Sequence, residues 1–84
     1  MLTYTAEQLA KELNTSRNLI YILHDKGAIK GIKKGNGYIF PQFEVDEMLH
    51  AFANDELDMG NAEAIERSVA IIKARREKEK RHGR

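Results

Sequence analysis

Apolar positions near the start of the chain recur at helical spacing. Ala6, Leu9, Ala10 and Leu13 fall at i, i+3, i+4 and i+7 and lay one apolar stripe along a helix, while Glu7, Gln8, Lys11 and Glu12 point the other way. Thr5 is the expected cap, because Gln8 stands three positions on at capping-box spacing. Asn14-Thr15-Ser16 breaks the run, and Ser16 suits the cap of a second helix that starts at Arg17. On that helix Ile20 and Leu23 face the first, with Leu19 at the edge of the same side. Arg17, Asn18, Tyr21 and Asp25 take the opposite side. Gly27, able to adopt positive φ, is the expected end.

Past Gly27 the period changes. Ile29 and Ile32 on one side and Tyr38-Ile39-Phe40 on the other flank Lys33-Lys34-Gly35-Asn36-Gly37, and Asn-Gly between apolar runs is a strong hairpin signal. Two strands near 29–33 and 37–40 are expected, with Lys33, Lys34 and Asn36 at the tip. Pro41 suits the start of a third helix over 42–53, where Val45, Met48, Leu49 and Phe52 again form an apolar stripe. Its outward face carries Glu44, Asp46 and Glu47. Asn54 to Gly60 is polar and acidic and reads as a linker. Asn61 suits the cap of a last helix to about Lys80, with a narrow seam of Ala62, Ile65, Val69 and Ile72. Glu63 and Arg67 form an i,i+4 pair on it.

The expected fold is therefore α+β and mainly α: a winged helix-turn-helix over residues 1–53, an acidic linker over 54–60, and a C-terminal helix with a basic tail over 61–84. The seam of Ile65, Val69 and Ile72 has two uses. It can fold back on the head, or pair with a second chain to give a homodimer or cooperative oligomer. The reach of the linker favours association.

Composition narrows the function. The chain has 84 residues and no cysteine, which excludes disulfides and cysteine-based zinc sites. No leader and no membrane span are read from it, and a cytoplasmic protein is expected. A net charge of +1 conceals segregation: residues 1–43 carry six basic and three acidic side chains, 44–59 six acids and no base, and 60–84 eight basic and four acidic. Segregation of that kind fits one face turned toward DNA and another toward solvent. His24, His50 and His82 have no metal-like spacing, and no carboxylate, serine or histidine has an evident catalytic partner. No enzyme activity and no cofactor are expected.

A helix-turn-helix lays its second helix into the major groove of DNA. Arg17 and Asn18, at the start of that helix, are the residues expected to meet base edges, arginine at guanine and asparagine at adenine. Tyr21 is expected at a phosphate or the groove edge, with Ser16 a cap that can also touch the backbone. Lys33, Lys34 and Asn36 suit the backbone or minor groove of an adjacent turn.

Leu2-Thr3, Ala6-Glu7, Leu13-Asn14-Thr15-Ser16-Arg17, Ile20-Tyr21, Gly27 and Phe40-Pro41 together give residues 2–53 a pattern that resembles the excisionase family of small winged helix-turn-helix DNA-binding proteins, relatives in fold of the MerR-type regulator head. The resemblance implies a phage- or mobile-element-encoded factor that binds tandem sites, bends DNA, steers an integrase or other recombinase toward excision and often represses a promoter. This chain departs from the family at Ile22 and Asp25, where basic residues are usual, at Phe43, and in the tail from Asn61. A winged head with a helical arm is also similar to small terminase subunits of tailed phages, which recognise packaging sites. The alternative class is a protein-interaction adaptor that uses the C-terminal helix to engage a partner.

Overall fold

A computed structural model of the chain describes residues 2–82, with side chains described through Glu79. The elements in order are β1 (Thr3–Thr5), α1 (Ala6–Glu12), α2 (Arg17–Asp25), β2 (Ile32–Lys34), β3 (Gly37–Pro41), α3 (Gln42–Asn54) and α4 (Ala62–His82). The fold is α+β and mainly helical. The far end of the basic tail, residues 83–84, and the side chains of Lys80 to His82 lie outside the described residues.

The three strands form one antiparallel sheet in the order β1-β3-β2. β1 is an element that periodicity does not announce, since three residues are too few to show alternation. It pairs Tyr4 with Phe40 and Thr5 with Ile39. Two contacts hold it: the Tyr4 hydroxyl donates to Gln42 Oε1 at 2.6 Å, and the Gln42 amide donates to the Leu2 carbonyl at 2.9 Å. The hairpin also differs from expectation. Its first strand is shorter and shifted, Ile32–Lys34 in place of 29–33, while the second starts at Gly37 as expected; Lys34 pairs with Gly37, so the two turn residues are Gly35 and Asn36. Gly35, at φ +61°, takes the first turn position, where the II′ hairpin turn demands a residue without a Cβ. Ile29, expected in the first strand, is buried ahead of it.

Local chemistry sets the helix ends. Thr5 and Gln8 exchange both capping-box hydrogen bonds, and the Ser16 hydroxyl accepts from the Leu19 amide at 3.2 Å. The three helices α1 to α3 then stop in the same way. Each has a left-handed residue just past its cap, Asn14 (φ 55°), Gly27 (φ 84°) and Glu56 (φ 52°). In each the next amide reaches back five residues: Thr15 to Ala10, Ala28 to Leu23 and Leu57 to Phe52, all at 2.8 Å. These are Schellman motifs, which satisfy carbonyls that a helix end leaves open. The third explains why the acidic segment after α3 is anchored. Leu57, the residue following the left-handed Glu56, packs on the core together with Met59.

Six side chains are almost wholly inaccessible: Leu9 of α1, Ile20 and Leu23 of α2, Phe40 of β3, Met48 of α3 and Ile65 of α4. Every helix and the central strand thus contributes to one core. The partner seam expected of Ile65, Val69 and Ile72 is corrected here. All three are buried in that same core, because a domain this small needs their apolar area more than a second chain does. Ala62, read as part of the seam, is exposed, and its place is taken by Ala64 and Ser68. Ser68 tolerates burial because its hydroxyl donates to the Asp58 carbonyl at 2.9 Å. Leu49, read as part of the α3 stripe, is instead exposed and stands outside the core.

Gly31 marks the tightest approach. A Cβ there would sit 2.9 Å from Cε1 and 3.1 Å from Cδ1 of the fully buried Phe40 ring, so the ring or the backbone must shift to admit it. Gly31→Ala is expected to lower stability by about 1–3 kcal/mol, read as a shift of the urea midpoint without a change of slope. An unchanged midpoint would show that the ring has room to move.

Candidate nucleic-acid interface

Arg17 and Asn18 open α2, and both are exposed. Tyr21 follows one turn on, 37% exposed. α4 packs against α2 without covering these residues, since its contact with that helix is made farther along. There Lys26 Nζ donates to Glu66 Oε2 at 2.6 Å. This hydrogen bond, reinforced by the charge of the partner, raises the Lys26 amine above its ordinary pKa and lowers the Glu66 carboxyl below its own. The signs make the pair a neutral-pH feature. Its stabilisation is lost in acid as pH falls through the lowered Glu66 value, and in base as pH rises through the raised Lys26 value. Lys26 is partly and Glu66 largely exposed to water, so the pair adds little to stability. A second ion pair, Arg75 with Asp55, ties α4 to the end of α3.

The hairpin is set against α2 by aromatic packing. The His24 ring lies 4.3 Å from that of Tyr38 and 5.9 Å from that of Phe40, centroid to centroid. His24 is therefore a half-buried packing residue. By fixing β3 on the last turn of α2, it fixes the position of the hairpin relative to Arg17.

A groove of about 340 Å³ results between the start of α2 and the hairpin. Arg17, Tyr21 and Lys34 line it together with Glu7, Tyr38 and Ile39. Residues singled out on two separate elements thus share one surface. Lys33 and Asn36 are exposed on the hairpin beside it, and Ser16 and Asn18 are exposed at the α2 terminus. Lys33 pairs across the strands with Tyr38 and so projects to the opposite side of the pleat from Lys34. Another hollow, about 390 Å³, lies between α3 and α4, but its lining mixes Glu47, Asp55 and Glu79 with Arg75 and Arg76. Mixed signs of that kind create no net field for a polyanion.

No protein-family model, no curated protein and no solved structure matches the chain.

The groove also holds one residue that sequence reasoning passed over. Arg17 Nη1 donates to Glu7 Oε1 at 3.2 Å, an exposed ion pair between the first turns of α1 and α2. A separation of ten residues matches no helical period, so nothing in the spacing signals it. Among the described residues no group of three His, Asp or Glu side chains is placed to hold a metal ion, and no helix is long and apolar enough to cross a membrane.

Proposed function

We propose that the protein is a cytoplasmic, sequence-specific DNA-binding protein of winged helix-turn-helix type, with α2 entering the major groove and the β2–β3 hairpin serving as the wing. One observation carries this reading: Arg17, Tyr21 and Lys34, from two elements, line a single groove that the C-terminal helix leaves open. A guanidinium at the first residue of an exposed helix has the reach and donor geometry to address a guanine edge. Lysines on a neighbouring hairpin are placed to meet phosphates on either side of it. The resemblance of residues 2–53 to excisionases supports an excisionase-type directionality factor or a small phage or mobile-element regulator, with an integrase as the protein partner. The seam of α4 is occupied within the chain, so pairing on DNA, if tandem sites are used, rests on other surfaces.

The test is a gel-shift titration with duplex DNA at several salt concentrations. Binding is expected at low salt and should weaken steeply as salt rises, by about 0.9 in log–log slope for each phosphate met. Lys33→Ala is expected to weaken all sequences alike and to lower that slope by about one. Absence of binding to any duplex at low salt would overturn the reading and leave the adaptor class in its place.

A further inference from the structure

We infer that Glu7 is a specificity-determining positioning residue for Arg17, an inference that rests on the DNA-binding reading above. Glu7 sits in the first turn of α1, inside the groove, with its carboxylate on one amino group of the Arg17 guanidinium. Arg17 is itself in the first turn of α2, where the helix dipole disfavours a cation and where no acidic residue of α2 offsets it. The carboxylate across the turn supplies that offset and orients the fork. A guanidinium has five N–H donors, and the bond to Glu7 uses one. The opposite edge of the fork keeps the two parallel donors that a guanine O6/N7 pair requires.

The same carboxylate acts against indiscriminate binding. It places a negative charge beside the residue most able to grip a phosphate, in a groove that also contains Lys34. Phosphate oxygens are then repelled where a base edge, with its acceptor atoms on the far side of the fork, is not. Glu7 lowers the affinity for any duplex while sparing the affinity for the correct one, which is how a like charge creates discrimination.

Glu7→Gln removes the charge and keeps an oxygen acceptor of the same length. Two probes suffice: a pool of random 20-base-pair duplexes, and the pool obtained from it by repeated selection on the wild-type protein. The variant is expected to bind the random pool about threefold more tightly, the size of effect usual for one exposed charge pair. Its log–log salt slope should steepen by up to about one as Arg17 takes a phosphate. The selected pool should gain less, so the ratio of the two affinities falls. Glu7→Ala, which also removes the acceptor, should lower that ratio further. A ratio and slope equal to those of the wild type overturn the inference while leaving DNA binding intact, as does equal weakening on both pools. Failure of the wild type to bind or enrich any duplex overturns the underlying reading and this inference with it. A shift in melting temperature alone, with the ratio unchanged, marks Glu7 as structural only and counts against the proposal.

Discussion

Ile65→Ala is expected to remove much of the protein's stability and to lower its melting temperature sharply. The side chain is fully buried and belongs to the same core cluster as Leu9, Ile20, Leu23, Phe40 and Met48. Truncation of such a residue costs about 2–5 kcal/mol, the lost transfer energy plus that of the cavity left behind. A domain of this size has total stability of the same order, roughly 5 kcal/mol. The consequence reaches beyond one side chain. A chain ending at Gly60 loses Ala64, Ile65, Val69 and Ile72 together and is expected to show no cooperative thermal transition. The check is circular dichroism melting of both variants beside the full chain. A cooperative melt of the shortened chain near the full-length temperature would show residues 1–53 to be an independent domain, and would reduce α4 to an ornament.

Arg17→Ala is expected to erase most of the preference between selected and random duplex. One bidentate arginine–guanine contact carries about 1–3 kcal/mol of discrimination, so the affinity ratio should fall by roughly tenfold or more. Lys is not an adequate substitute, because an ammonium cannot present two parallel donors. Arg17→Lys should therefore keep binding to random duplex and lose the preference. Lys34→Ala, by contrast, should weaken both pools by a similar factor. The Arg17 side chain is exposed and stands outside the core, so these variants are expected to melt like the wild type. If Arg17→Ala retains full preference, α2 does not present this face to bases, and the assignment of the groove is wrong.

Local rules carried far in this chain. Thr5 with Gln8, Ser16 and Gly27 each occupy the cap or stop that their chemistry predicts, since those interactions are made within a few residues. Val45, Met48 and Phe52 of the α3 stripe, though not Leu49, and the extent of α4 follow from periodicity in the same way. What escaped was non-local. β1 exists because Thr3 to Thr5 finds a partner in β3 more than thirty positions away, and no window of three residues could announce it. The end of α3 falls within one residue of the expected 53, but the turn that follows it was hidden by Glu56, a left-handed residue with none of the usual glycine signal. The α4 seam showed its spacing but not its customer: Ile65, Val69 and Ile72 look alike whether they meet their own chain or another. Ser68 shows the cost of reading polarity alone, for a hydroxyl with a carbonyl partner is as much at home inside as an alanine. At the candidate site the individual cations were legible from helix starts and the hairpin tip. The Glu7–Arg17 pair depends on how two helices meet across the turn from Leu13 to Ser16, and that angle is a tertiary fact.

The burial of Ile65, Val69 and Ile72 beside Leu9 and Phe40 has a consequence for biosynthesis. Until α4 has left the ribosome, the preceding helices and sheet lack the side chains that cover part of their apolar interior. Until those aliphatic residues arrive the core cannot close, and apolar surface left open in that way is prone to aggregate.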